Sequence, residues 1–191
     1  MKTLGIAFVV GCCVLGAGRA ARAQGFAAEE SVFARHAVTV TGILGLGTPV
    51  GEAGAEIALA PADWLELSGG IGRGFYGLQL AAMPRVRLHG EGRWALTLGA
   101  GYSQGEYGKF DLCFDGPCDT WRGTIAWANL EAGAEFQTEA GFTLRLFGGV
   151  GIPLNPYGLS CQDGGSGECA TDTRPRVVPF PSGGVAVGWS F

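Results

Sequence analysis

Seven ionisable residues stand out because each interrupts a stretch of small or apolar neighbours: Glu56, Glu66, Arg85, Arg87, Glu131, Glu135 and Arg145. Four are acids and three are bases. If folding gathers them away from water, isolated charges are too costly to persist, so ion pairs and hydrogen bonds are expected. Two functions then compete. A network can fill a narrow interior as a polar plug, or it can line a selective, gated pore. In a closed interior barely wide enough for side chains, the plug is expected.

The cysteines come next. The chain has six, and Cys113, Cys118, Cys161 and Cys169 lie outside the apolar N-terminal stretch, in two polar, Gly-containing segments. In an exported protein, disulfides are the default chemistry. Three pairings are open to four cysteines. The expected one is local, Cys113–Cys118 with Cys161–Cys169, each closing a turn. The spacings match no common zinc motif and no His lies nearby, so no metal is expected. The same segments hold Asp111, Asp115, Asp119, Asp163, Glu168 and Asp172. Their spacing matches no EF-hand loop, and solvated charge is the expected role. No cofactor is implied anywhere: Gly70-Ile71-Gly72-Arg73-Gly74 lacks the strand-then-helix setting of a nucleotide site.

The elements that must carry these residues have a period of two. In the last segment Val185, Val187, Trp189 and Phe191 alternate with Gly184, Ala186, Gly188 and Ser190. Likewise Trp94, Leu96, Leu98, Ala100 and Tyr102 alternate with Ala95, Thr97, Gly99, Gly101 and Ser103. The pattern predicts eight strands over 36–47, 51–60, 64–74, 76–88, 93–104, 123–136, 142–152 and 182–191. The seven ions all fall on the small or polar face. That face is mostly Gly, Ala, Ser and Thr, whereas the outer surface of a soluble sheet is rich in Lys, Glu and Thr. The apolar faces carry aromatics toward their ends, including Tyr76, Trp94, Tyr102, Phe136, Phe142, Trp189 and Phe191. This pattern predicts a transmembrane barrel with its apolar face outside and small residues crowding the lumen.

Composition agrees. Of 191 residues 35 are Gly, 47% are hydrophobic and only 16% are charged, against roughly 25% charged in ordinary soluble domains. Mean hydropathy is +0.24. The net charge of -4 leaves no basic stripe for phosphates, so no nucleic-acid partner is expected. Met1-Lys2, the uncharged run Leu4–Gly18 and Ala21-Arg22-Ala23 read as a cleaved signal peptide over 1–23, with Gln24 the first mature residue. A competing lipidation motif at Val9-Val10-Gly11-Cys12 is disfavoured by the short apolar stretch before it. A short periplasmic segment, 24–35, then leads to a barrel over 36–191.

Connections alternate in length. Those near 61–63, 89–92 and 137–141 are tight; those at 105–122 and 155–181 are long and polar. Short turns belong on the periplasmic side of such barrels and long loops outside. An even strand count returns both chain ends to the periplasm. His36 and His89 then fall on the periplasmic side, away from any serine near the outer leaflet.

The terminal alternation Val185, Val187, Trp189, Phe191 resembles the C-terminal signature of bacterial outer-membrane β-barrel proteins. The chain from residue 24 onward resembles the small group containing the OmpA membrane domain, OmpX and OmpW-like proteins. That resemblance implies an eight-stranded antiparallel up-and-down transmembrane β-barrel in the cell outer membrane. It also implies the barrel-assembly machinery as a partner and contact with outer-membrane lipid, including lipopolysaccharide. The expected role is non-enzymatic: a plugged, structural barrel whose disulfide-braced loops contact something outside. A narrow channel and a lipid A-modifying enzyme are the alternatives.

Overall fold

Alternation of large apolar with small residues favours extended chain, and extended chain must pair its edges. The computed structural model describes residues 32–89, 92–110, 120–162 and 175–191. It satisfies that demand by closing a sheet on itself. The strands are β1 (Val38–Thr48), β2 (Gly51–Ala62), β3 (Leu65–Arg73), β4 (Leu78–His89), β5 (Trp94–Phe110), β6 (Thr120–Gln137), β7 (Phe142–Pro153), β8 (Leu159–Gln162) and β9 (Phe180–Ser190). Each of β1 to β7 is antiparallel to its sequence neighbour, and β9 closes the ring between β7 and β1. Eight strands therefore form a closed barrel, and β8 pairs with the far end of β6 beyond the wall.

The predicted strands are all present, with two differences. β5 and β6 run past their expected ends and stay paired to Phe110↔Thr120, so much of the supposed loop 105–122 is a projecting hairpin. The supposed loop 155–181 contains β8. A small second core explains both: Trp121, Ile125, Leu159 and Val177 are buried together above the barrel, with Tyr107 and Trp127 beside them.

Both ends of the described chain and the β2–β3, β4–β5 and β6–β7 connections lie at one end, called here the terminal end. The remaining connections lie at the loop end. The tight β1–β2 turn at the loop end needs Gly47 and Gly51, whose φ values are 60° and 95°, a region costly for other L-residues. Close strand approach also selects glycine at Gly188, where a Cβ would strike the Val40 carbonyl oxygen and crowd Thr41.

Which face lies inside is settled by exposure. Leu44, Ile57, Leu80, Leu96, Leu98, Leu130, Leu146 and Val187 are all exposed, whereas Thr41, Glu56, Arg85, Thr97, Glu131 and Arg145 are buried. Among the described residues, no outward position within the barrel strands from Val40 to Leu46, Leu78 to Leu88, Trp94 to Tyr102 or Phe136 to Ala126 carries a charge. Aromatic pairs crowd the terminal end of that belt: Trp94 and Phe136 at 4.9 Å, Phe142 and Trp189 at 6.3 Å between ring centroids. Tyr76 departs from expectation. It lies in the β3–β4 connection, half-buried, with its ring 5.7 Å from Tyr107 at the barrel mouth.

Candidate functional site

The barrel interior is built in layers, because inward residues of neighbouring strands meet at the same height. Glu56 projects from β2, Glu66 from β3, Arg85 and Arg87 from β4, Glu131 and Glu135 from β6, and Arg145 from β7. All seven residues are buried, at 6% exposure or less. The structure brings every one of them into a single network.

Arg85 is its hub. Its Nε donates to Glu131 Oε1 at 2.9 Å, and its Nη1 donates to Glu56 Oε1 and Glu66 Oε1, each at 2.9 Å. Nη1 also reaches Ser68 Oγ at 2.8 Å, and Nη2 donates to Glu56 Oε2 at 2.8 Å. Arg145 donates from Nη2 to Glu56 Oε1 at 2.9 Å and from Nη1 to Glu66 Oε1 at 3.4 Å. Arg87 grips Glu135 with Nε and Nη2, both at 3.1 Å, and its Nη2 also bonds Glu66 Oε2. Two atoms are left over: Glu131 Oε2 and Arg145 Nε have no hydrogen-bond partner. Four carboxylates against three guanidinium groups leave one formal negative charge in the layer.

Such a cluster cannot move cheaply. Guanidinium forks hold carboxylates at fixed angles, and burial raises the cost of breaking any contact. The neighbouring layers reinforce it. Toward the terminal end, Thr39, Thr143 and Ser190 join by hydroxyl hydrogen bonds of 2.8 Å. Toward the loop end, Ile43, Val50, Phe147 and Ala186 form an apolar layer.

Three further contributors were not singled out from sequence. Phe33, in a short 3-10 turn at Val32–Ala34, is buried against the terminal end with the Arg87 guanidinium 5.1 Å from its ring. Phe33, in the last part of the segment 24–35 expected to lead into the barrel, thus caps the lumen. Phe147 covers Arg145 in the same way at 5.5 Å. Ser68 joins the Arg85 hub. Phe147 and Ser68 have the right parity, but nothing local marks an aromatic or a serine as a partner of an arginine strands away.

Above the apolar layer the loop end opens into a cavity of about 230 Å³, lined by Glu52, Gln79, Tyr107, Trp127 and Asn129 among others. Its floor is tied together by Asn129 Nδ2 donating to Ser103 Oγ at 2.9 Å and Gln79 Nε2 donating to Thr48 O at 3.4 Å. Cys161 sits on β8, half-buried opposite Trp121; Cys113, Cys118 and Cys169 lie outside the described residues. Val185, Val187 and Trp189 occupy the outer face of β9 as their spacing required, with Phe191 just past its end. His89 ends β4 rather than sitting in a turn. Among the described residues no cluster of His, Cys, Asp and Glu could hold a metal.

The chain therefore belongs, by architecture, to the closed eight-stranded antiparallel barrels with an ion-filled interior. A solved structure of the same fold is the N-terminal β-barrel domain of Pseudomonas aeruginosa OprF, at a TM-score of 0.54 and 15% identity, covering 82% of this chain and 98% of that one. No protein-family profile matches the chain, and no curated protein matches its sequence.

Proposed function

We propose that this protein is a non-enzymatic barrel of the bacterial outer membrane, related to the OmpA membrane-domain, OmpX and OmpW-like group, with a plugged lumen and loops that act at the cell surface. One observation carries the reading: an aliphatic belt, charged only at Arg73 on its loop-end rim among the described residues, faces outward while the seven ions at mid-height are buried and paired inside. In water that arrangement is inverted; in hydrocarbon it is the one that costs least. The belt spans about ten residues per strand, enough for a tilted strand to cross a bilayer.

Residues 1–23 act as the export signal, and Val185, Val187, Trp189 and Phe191 present the assembly machinery with its C-terminal signature. Lipopolysaccharide and other outer-membrane lipids contact the belt. Disulfides Cys113–Cys118 and Cys161–Cys169 brace the loops; what supports this is the place of all four cysteines in polar segments of an exported chain. The plug is tested by conductance. Purified full-length protein inserted in planar bilayers is expected to give no steady ion current. Robust, well-defined channel openings would replace the plug by a pore.

A further inference from the structure

The cavity at the loop end has a chemistry of its own. Its walls are aromatic: Tyr76, Tyr107, Trp127 and Phe180 all line it. Tyr107 stands edge-on to Trp127 at 5.8 Å and tilted to Tyr76 at 5.7 Å, so the three rings form a continuous wall. The wall needs glycine behind it. A Cβ at Gly151 would crowd the Trp127 ring, and one at Gly108 would meet the Tyr76 ring.

The charged side chains on the described lining are Glu52 and Glu106. Arg122 borders the neighbouring depression together with Glu106, so the inner charge rests on Glu52. Glu52 lies on β2 with the same inward parity as Glu56, and its Oε1 is buried with no hydrogen-bond partner. A carboxylate oxygen without a hydrogen-bond donor, on a residue lining the same cavity as three aromatic rings, is a mismatch inside one protein and a match for a cation. Anions are repelled, and an uncharged apolar guest would leave that oxygen unpaired. The volume of about 230 Å³ is below the roughly 300–1,000 Å³ of most drug-sized ligand sites, so the guest is small.

We propose that this cavity is a binding site for a small quaternary ammonium ion, held by the Tyr76–Tyr107–Trp127 wall and by Glu52. The aromatic faces stabilise the diffuse charge of the methyl groups, and Glu52 supplies the counter-charge. The proposal rests on the loop end facing water, as in the function proposed above.

The test is calorimetric titration of the full chain folded in octyl glucoside, a detergent without an ammonium group, using choline and its uncharged isostere 3,3-dimethyl-1-butanol. Choline is expected to bind saturably, and the alcohol about tenfold more weakly or not at all. Glu52→Gln, which keeps shape and removes charge, is expected to weaken choline by about tenfold while leaving the heat-sensitive gel migration of the folded barrel unchanged. Equal binding of choline and the alcohol, undiminished choline binding by Glu52→Gln, or no choline binding to folded protein would each overturn the site. The two readings fail separately: a silent, folded barrel that ignores choline loses only this site, and a conducting barrel that binds choline loses only the plug.

Discussion

Arg85 and Glu56 meet through two parallel hydrogen bonds, Nη1 to Oε1 at 2.9 Å and Nη2 to Oε2 at 2.8 Å, although β3 separates their strands in the wall. The pair therefore bridges the interior rather than lying along the sheet. Arg85 also holds Glu66 and Glu131, so one guanidinium ties together strands β2, β3, β4 and β6. Replacing it by Met would leave three buried carboxylates short of their main counter-ion. Arg85→Met is expected to destabilise the folded barrel by about 3–5 kcal/mol, read by urea unfolding in lipid vesicles. Adding Glu56→Gln to that variant should recover part of the loss, because it removes one of the stranded charges.

The belt makes an opposite demand. Leu98 is 51% exposed midway along the belt stretch Trp94 to Tyr102 of β5, beside Val86 and Ala132. Leu98→Arg is expected to cost about 2–4 kcal/mol in lipid, where a midplane cation is poorly solvated. An exposed site on a water-facing protein would register almost nothing, so the same unfolding assay separates the two environments.

Strand contact at Gly188 leaves no room for a side chain. Gly188→Val would drive its Cβ into the Val40 carbonyl oxygen and against Thr41. Overpacking of this kind costs roughly 1–3 kcal/mol where the structure can adjust. Backbone is less able to yield than a side chain, so loss at or above the upper end is expected, with a reduced folded fraction on unheated gels.

Phe33 caps the terminal end of the lumen over Arg87. Phe33→Ala should open that end without disturbing the belt. Backbone amides near Arg87 and Glu135 are expected to exchange hydrogen faster, while those of β1 and β9 at mid-height keep their protection. Uniform exchange across the barrel would show that Phe33 supports the whole fold instead.

Much of this architecture is legible in residue order, because alternation alone assigns each side chain to a face. Glu56, Arg85 and Arg145 share that inward parity, and a closed ring makes their meeting unavoidable. The misses have a common cause: they depend on partners distant in sequence. Gly105, Glu106, Gly108 and Lys109 have loop composition, yet they extend β5 because residues 120–125 pair with them. Leu159–Gln162 is strand only because β6 offers its outer end. Glu52 and Trp127 have lumen parity, but their joint role needs the mouth geometry that no local pattern encodes. Phe33 precedes the first strand, and nothing nearby marks it as a lumen cap.

The claim on which the rest depends is that the aliphatic face meets lipid. The direct measurement is fractionation of cells producing the full chain, followed by electrophoresis with and without boiling. The protein is expected in the outer-membrane fraction, released only by detergent, as a band whose migration changes on heating. Recovery in the fluid released by osmotic shock, detergent-free and with migration indifferent to heat, would contradict the account.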